Sequence, residues 1–204
     1  TLALAALAAS TSGVMAQEKF KIGLVLPMTG QQATTGRQIE AAARLYMAQH
    51  GDTVAGKKIE LIVKDDTSLP DQTRRLAQEL IVNDKVNVLA GMGITPSAMA
   101  VAPLATQSKT PLVVMAAATS SITEASPYIV RTSFTVPQVV TTLADWASAN
   151  NIRKVVTLVT DYAPGVDSEK YFNQRFTTNG GVVVESLRVP LRSPDFAPFL
   201  QKVR

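Results

Sequence analysis

Two threonine residues stand where the sequence predicts that helices begin, and their hydroxyl groups could bind a carboxylate. Thr95 precedes a proline in "GMGITPS", and Thr119 opens "TSSITE", in which Ser121 and Glu124 have the spacing of a capping box. Threonine before the first turn and proline within it are helix-start signals. Because helix N-termini carry free N–H groups and partial positive charge, the two loops together predict a neutral carboxylate clamp. A purely capping role stays open for each loop alone.

The glycine-rich stretch before Thr95 could instead hold a phosphate, but its pattern argues against a nucleotide cofactor. A P-loop ends in Gly-Lys-Ser/Thr, which occurs nowhere in the chain. A dinucleotide fingerprint needs G-x-G-x-x-G after the first strand of a unit, whereas Gly91-x-Gly93 is followed by Pro96 and lies on the third predicted strand. We therefore expect no cofactor.

Residue sets for catalysis or metal binding are missing from the sequence. There is no cysteine and no G-x-S-x-G or S-x-x-K motif, and His50 is the only histidine. His50 precedes Gly51 at a predicted helix end, which favours a surface or capping role. Asp65 and Asp66 could form a metal pair, but no further ligands lie nearby in sequence, so capping or salt bridging is favoured. We predict a binding protein with no catalytic residue and no metal site; an enzyme of the same fold class is the weaker reading.

Composition narrows the class of partner. The net charge is +4, with the basic residues scattered, and only 5% of the residues are aromatic. Basic and aromatic residues do not interleave, so we expect no nucleic acid as partner. The small excess of positive charge mildly favours an anionic ligand.

Residues 1–16 differ in character from the rest of the chain. They carry no charge, consist mostly of alanine and leucine, and end in the small-x-small pattern Val14-Met15-Ala16. The pattern is typical of the remnant of a secretory signal peptide, which predicts export to the periplasm; an alanine-rich helical extension is the alternative. The chain begins at threonine and stops within a predicted helix, so we expect it to be a fragment of a longer protein.

Short apolar runs alternate with amphipathic stretches, and this pattern predicts the elements that position the loops. Such alternation predicts an α/β fold with parallel, doubly wound sheets and helices on both faces. Strands are expected at 20–27, 57–66, 86–91, 111–116, 128–133, 154–160 and 181–189. Helices are expected at 36–50, 70–83, 96–108, 121–125, 137–150, 166–178 and 194–203.

A crossover at 133–138 divides the predicted elements into two lobes. We expect a first lobe at 17–134 and the start of a second lobe, incomplete here, at 135–204. Ligands bind such sheets beyond the carboxyl ends of their strands. Tyr162 follows the first long strand of the second lobe, where a partner lobe would close over a ligand; the alternative is a tyrosine that only packs its loop.

Taken together, these segments resemble the type I periplasmic solute-binding proteins of branched-chain amino acid ABC transporters, the leucine/isoleucine/valine-binding family. The resemblance covers 19–204 and is carried, in order, by "KIGLVLPMTGQQATTG", "GKKIELIVKDD", "PDQTRRLAQELIVNDKVNVLAG", "TPLVVMAAATSSIT", "YIVRTSFTVPQ" and "VVTLVTDYAPGVDS". It implies a hinged, two-lobed type I periplasmic-binding fold. It also implies that a small-molecule carboxylate, an amino acid or a related acid, is bound between the lobes and delivered to ABC transporter permease subunits in the membrane.

The resemblance also implies which residues contact the ligand. After the third strand, a hydroxyl and backbone groups reach the ligand carboxylate, and this position falls on Thr95 with Gly93 and Ile94 beside it. After the fourth strand, the family provides a backbone carbonyl and a threonine. These positions fall on Ala117, Ala118 and Thr119.

Two positions depart from the family pattern. Thr35 stands where the family often has an aromatic residue in the first loop. Pro164-Gly165 replaces a frequent Tyr-Gly, and Tyr162 lies two residues earlier. These departures favour a different or bulkier acid than leucine or valine, with an aromatic acid among the candidates.

A ligand-sensing domain of a receptor or regulator with the same fold is the alternative function. A DNA-binding helix-turn-helix before residue 19, or a membrane span after the domain, would favour it. The predicted signal peptide argues against a cytoplasmic regulator.

Overall fold

The computed structural model of the chain describes residues 18–191 and 195–203. The predicted signal peptide at 1–16 and the first residue of the predicted helix at 194–203 lie outside the described residues. No helix within the described ranges is long and apolar enough to cross a membrane.

Strands and helices alternate along the chain, as the sequence predicts. The strands are β1 (Lys19–Leu26), β2 (Thr53–Val54), β3 (Lys57–Asp65), β4 (Val88–Gly91), β5 (Leu112–Val114), β6 (Ile129–Arg131), β7 (Lys154–Thr160) and β8 (Val182–Val189). The helices are α1 (Ala33–His50), α2 (Pro70–Val82), α3 (Thr95–Ser108), α4 (Val136–Ala149), α5 (Ala163–Thr178) and α6 (Ala197–Leu200). Short 3₁₀ turns occupy Ser120–Glu124 and Gln201–Val203.

The strands of the described chain form two separate sheets. The larger has the order β2-β3-β1-β4-β5-β6, in which β2 is antiparallel to β3 and every other pair is parallel. The smaller pairs β7 with β8 in parallel. We call the part built from β1 to β6 the first lobe and the part from α4 onward the second lobe. The two-lobed α/β architecture is thereby confirmed, while the division at residue 135 stays a prediction.

Strand order in the larger sheet reverses at β1. The chain runs from β1 to β3 on one side and then crosses to β4 on the other. Ligands bind open α/β sheets at this kind of switch point, outside the carboxyl ends of the strands. The loops that follow β1 and β4 therefore flank the crevice in which a ligand is expected.

Helices cover both faces of the larger sheet, which is why its central strands β4 and β5 are apolar throughout. Successive side chains of β1 alternate between the faces. Leu24 and Leu26 pack with Ala90 and with side chains of α1, whereas Val25 packs with the residues of α2 and α3. The larger of the two cores lies on the α2 and α3 side.

The second lobe has a much smaller core. Its buried residues are Ala144, Ala147 and Phe176, and Phe172 stacks on Phe176 with ring centroids 5.5 Å apart. Gly181 makes room for Phe176, because a Cβ there would lie 2.3 Å from its ring. The core therefore depends largely on one aromatic side chain and the glycine against which it packs.

Differences from the predicted elements lie mainly at their ends. Helix α1 begins at Ala33 instead of residue 36, and α5 begins at Ala163 instead of residue 166. Pro164 occupies the first turn of α5, where a missing N–H costs no helical hydrogen bond, so the proline opens the helix instead of ending a loop. The last predicted helix shrinks to Ala197–Leu200 with a 3₁₀ turn after it.

Strand β2 is missing from the predicted elements. It forms a hairpin with β3 through Ala55 and Gly56, which have φ values of 50° and 79°. Two consecutive positive φ angles are the mark of a tight hairpin turn. A strand of two residues is too short to show an alternating pattern, and so the sequence alone could not reveal it.

Candidate functional site

The glycine-rich stretch after β4 lets two backbones meet at the switch point. Gly91 has a φ of +113°, and a Cβ on it would lie 2.3 Å from the carbonyl oxygen of Val25 on the neighbouring β1. Met92 follows with a φ of 64°, and its N–H donates to the same oxygen at 3.0 Å. A non-glycine residue in this conformation is strained and marks a segment held by its surroundings. Gly91 is therefore needed for the close packing of the β4 backbone against β1.

Thr95 and Thr119 are brought together by neighbouring strands. Strands β4 and β5 pair directly, so the loops that follow them are adjacent. The two hydroxyl oxygens lie 2.8 Å apart, and each residue is only 4% exposed. Sequence reasoning placed both threonines in one crevice, and the structure confirms that they meet.

The capping roles predicted for these two loops are wrong. Ile94 is the N-cap of α3, and Thr95 is its first helical residue. Ser121 lies within the 3₁₀ turn, so Ser121 and Glu124 form no capping box, and Thr119 makes no side-chain capping bond. The capping box is instead at the start of α4, between Thr135 and Gln138. Sequence spacing could not separate an N-cap from the first helical position, because threonine is tolerated at both.

Backbone groups near Thr119 already have partners. The Ala118 carbonyl accepts from the Val136 N–H at 2.9 Å, and the Thr119 carbonyl accepts from the Arg131 guanidinium at 2.6 Å. The N–H of Ala117 donates to the Met92 carbonyl, which fixes this loop to the one after β4. The second predicted helix start is thus a short 3₁₀ turn whose neighbouring backbone groups are already hydrogen-bonded. Of the predicted clamp, the pair of threonine hydroxyls remains as the candidate group for a carboxylate.

A cleft of about 370 Å³ lies between the lobes. Ile94 and Pro96 line it from the first lobe, and Tyr162 and Leu191 line it from the second. Tyr162 is the N-cap of α5, and burial raises the pKa of its phenol further above neutral pH. The cleft therefore combines apolar walls with a neutral hydrogen-bond donor. Its remaining lining residues are Gln31, Gln32, Thr67, Ser68, Leu69 and Pro70.

Thr35 and Gly93 lie in a different depression, of about 550 Å³, beside α1. Gln32 lines both depressions, so they meet at that residue. Gly93 is adjacent to Pro27, since a Cβ at position 93 would lie 2.6 Å from the proline ring. Six of the eight predicted site residues thus fall into three groups: the cleft pair Ile94 and Tyr162, the buried hydroxyl pair, and Thr35 with Gly93. The other two, Ala117 and Ala118, lie in the loop after β5. The contact of all eight with a ligand stays a prediction.

Sequence reasoning missed how Asp65 organises the cleft rim. Its carboxylate accepts from the N–H of Met28 at 2.9 Å and of Thr67 at 2.9 Å, and from the Thr29 hydroxyl at 2.6 Å. Burial raises the pKa of this carboxyl, but these hydrogen bonds lower it by more, so its pKa lies below the usual aspartate value. Asp65 therefore ties the loop after β1 to the loop after β3 without any cation.

Asp66 ties the same rim to α3. It is fully buried and accepts from the Ser68 N–H at 2.9 Å and from the Thr73 hydroxyl at 2.8 Å. Ser97 lies 3.3 Å from the same carboxylate, two residues after Thr95. The positive φ angles of Thr67 (51°) and Ser68 (60°) are held by the hydrogen bonds that their N–H groups donate to Asp65 and Asp66, respectively. An Asp-Asp pair that ends a strand before Thr-Ser was the available signal, and it indicates loop-forming hydrogen bonds.

His50, which the sequence also singled out, has a surface role. His50 is exposed at the end of α1, where its ring stacks on Tyr46 with centroids 4.2 Å apart, as a surface role predicts. Among the described residues, no group of three or more His, Cys, Asp or Glu side chains could hold a metal ion.

Comparison with known proteins places these features in a family. A family model described as "Periplasmic binding protein" matches residues 19–204. The Leu/Ile/Val-binding protein homolog 6 of Brucella abortus is 44% identical over all 204 residues. The chain spans 52% of the length of that relative.

Two solved structures give the same picture. A solute-binding protein of an ABC transporter from Rhodopseudomonas palustris BisB5, in complex with 3,4-dihydroxybenzoic acid, is 65% identical with a TM-score of 0.86; the match covers 90% of this chain and 51% of that one. A counterpart from Rhodopseudomonas palustris HaA2, in complex with p-hydroxybenzoic acid, is 46% identical with a TM-score of 0.88 and coverages of 91% and 51%. On the fold, the switch-point crevice and these matches, the chain belongs to the periplasmic binding protein family of ABC transporter solute receptors.

Proposed function

We propose that the protein is the solute-binding component of an ABC importer and that it binds an aromatic carboxylate of the hydroxybenzoate class. The ligand is held between the two lobes and delivered to permease subunits in the membrane. The protein works in the periplasm and releases its ligand unchanged, so no turnover of the ligand is expected. This function concerns the whole protein. The matched relatives are about twice as long as this chain.

One observation carries the proposal: two buried hydroxyls meet between the loops that follow β4 and β5, and the neighbours of Thr95 on both sides, Ile94 and Pro96, line the interlobe cleft. Each hydroxyl can turn its proton toward a carboxylate, because it is both a donor and an acceptor. Hydrogen bonds to a charged group are stronger than those between neutral groups. The Thr95 and Thr119 hydroxyls, now 2.8 Å apart, could both donate to one ligand carboxylate.

The preference for an aromatic acid rests on two further observations. The cleft walls contributed by Ile94, Pro96 and Leu191 are apolar, which suits a benzene ring better than an ammonium group. The two matched Rhodopseudomonas palustris proteins, including the one at 65% identity, are in complex with hydroxylated benzoic acids.

Calorimetry on the full-length protein tests this function. We expect binding of 4-hydroxybenzoate and 3,4-dihydroxybenzoate and much weaker binding of leucine. Thr95→Val and Thr119→Val should each weaken binding about ten- to hundredfold, since each removes a hydrogen bond to a charged group. Both substitutions preserve side-chain shape.

Thr106→Val is the matched control. Its hydroxyl lies in the same helix as Thr95 but contacts Ser126 and the Ala102 carbonyl instead of the cleft. If both clamp variants bind like the wild type, the clamp is misplaced. If leucine binds more tightly than either benzoate, the aromatic preference is wrong.

A further inference from the structure

A carboxylate on the second lobe reaches across the cleft to the first lobe. The Ser120 N–H, one residue after Thr119, donates to Asp167 Oδ2 at 2.7 Å. Asp167 lies in the second turn of α5 and is half-buried. Within the described part of the chain, this is the one side-chain hydrogen bond that joins the two lobes.

Both partners of this bond are held firmly by their own lobes. On the first lobe, the Thr119 carbonyl accepts from Arg131, which fixes the peptide that carries the Ser120 N–H. On the second lobe, Gly165 seats the start of α5 against β7, because a Cβ there would lie 1.8 Å from the Thr160 carbonyl oxygen. The bond between Ser120 and Asp167 therefore constrains the distance between the two lobes.

The side chains next to Asp167 act only within the second lobe. Ser168 donates to the Pro164 carbonyl at 2.8 Å, and Glu169 accepts two hydrogen bonds from Arg188. Asp167 alone among these three bonds to the other lobe. Ser168 and Glu169 stabilise α5 within the second lobe, whereas the bond of Asp167 joins α5 to the first lobe.

We propose that Asp167 is a positioning residue that closes the two lobes on each other and thereby sets ligand affinity. The proposal rests on the binding function proposed above. A ligand held between lobes binds the closed form, so its apparent affinity falls with the fraction of protein that is closed. A charge-assisted bond between the lobes raises that fraction. Closure also brings Tyr162, five residues before Asp167 on the same lobe, over the cleft.

The bond is compatible with a bound ligand. The groups proposed to receive the ligand carboxylate are the Thr95 and Thr119 hydroxyls, whereas Asp167 uses a backbone N–H of the next residue. The rival interpretation is competition, in which Asp167 takes up a donor that the ligand carboxylate needs. The two interpretations predict opposite changes in affinity when the charge of Asp167 is removed.

The test combines lobe spacing with binding kinetics in the full-length protein. Spin labels on Asp71→Cys in the first lobe and Lys170→Cys in the second report the distance between lobes without ligand; both sites are exposed. Association and dissociation rates are measured with 4-hydroxybenzoate. The variants are Asp167→Ala, which removes the acceptor, and Asp167→Asn, which keeps a neutral acceptor. Glu169→Gln, which disturbs a bond inside the second lobe only, is the matched control.

We expect Asp167→Ala to widen the distance distribution between lobes and to weaken binding about tenfold, mainly through faster dissociation. Asp167→Asn should fall between this variant and the wild type, and Glu169→Gln should match the wild type. Tighter binding by both Asp167 variants would overturn the proposal in favour of competition. An unchanged lobe distance in Asp167→Ala would also overturn it. The distance measurement needs no ligand, so it decides the role of Asp167 even if the wild type fails to bind 4-hydroxybenzoate.

Discussion

The two lobes contain strands of similar apolar character but bury them to different extents. Strand β1 of the first lobe ends in four consecutive buried residues, whereas β7 of the second lobe, with the sequence KVVTLVT, has none that is fully buried. The difference lies in their neighbours: β1 is paired on both sides and covered on both faces, while among the described residues β7 pairs only with β8. Burial is therefore set by the number of covering elements and not by the apolarity of the strand.

The carboxylates at the cleft rim are held differently from two surface carboxylates of the second lobe. In the first lobe, Asp65 and Asp66 accept hydrogen bonds from backbone N–H groups and hydroxyls at the cleft rim. In the second lobe, Asp145 and Glu169 bind the guanidinium groups of Arg175 and Arg188 on the surface. The first arrangement shapes loops around a site, and the second joins elements that are already formed.

The largest expected effect tests whether the second lobe depends on a single aromatic residue. Phe176→Ala should destabilise this lobe by about 3–5 kcal/mol, because it removes the centre of a core with few buried residues. Hydrogen exchange followed by mass spectrometry should show loss of protection in β7 and β8 while β1 and β4 keep theirs. The matched variant Leu112→Ala, in the broad core of the first lobe, should lower protection in β4 to β6 only. Loss of protection throughout the chain in both variants would show that the lobes unfold as one unit.

A smaller effect tests the polar network under the cleft rim of the first lobe. Asp66→Ala leaves the buried Thr73 and Ser97 hydroxyls and the Ser68 N–H without their acceptor, so we expect a loss of about 1–3 kcal/mol. Urea unfolding measures the change. Asp71→Ala, at an exposed position in the first turn of α2, is the control. Equal stability of Asp66→Ala and the wild type would show that water replaces the network.

The smallest expected effect is a difference in salt dependence between Asp145, which pairs with an arginine, and Asp65, which accepts hydrogen bonds from neutral groups. Arg175 holds the pKa of Asp145 below its usual value, as hydrogen bonds do for Asp65. A lowered pKa in the folded state contributes stability above the usual aspartate value of 3.8 and loses it as the pH falls through the lower folded value. Both contributions should therefore be present at neutral pH and disappear in acid.

Only the contribution of Asp145 should respond to salt at neutral pH. It belongs to an exposed ion pair, and in about 1 M salt the Debye length shrinks to about 3 Å. The destabilisation caused by Asp145→Asn should shrink with added salt, whereas that caused by Asp65→Asn should not, as its partners carry no net charge. Unfolding of both variants in low and high salt is the measurement. If added salt reduced the destabilisation equally in the two variants, the contrast between rim and surface carboxylates would be wrong.

Most of the fold could be predicted from the sequence, because the alternation of apolar runs and amphipathic stretches is long and regular. Helix α2, with its proline at the start, and the apolar strand β7 match their predicted positions closely. The misplaced start of α5 follows from Pro164, because a proline signals the beginning of a helix without specifying whether the preceding residue is its N-cap or its first turn. Helix α1 has no proline in its first turn to mark its start.

The candidate site was predictable only in part. Thr95 and Thr119 could be placed together because each follows a strand, and parallel strands end at the same edge of a sheet. Asp167 could not be placed in this way. Its partner Ser120 lies 47 residues away in sequence, and no local pattern specifies a partner at that distance.

The sequence by itself determined the class of elements, their order, the parallel sheets and the pairing of two hydroxyls at the strand ends. These features follow from local periodicity and from rules of chain connection that apply to every open α/β sheet. The tertiary structure decided which polar groups are free to bind a ligand. Nothing in the sequence near Ser120 indicates a partner for its N–H, but in the fold this N–H donates to Asp167. Hydrogen-bond partners are set by proximity in space, which the order of residues does not specify.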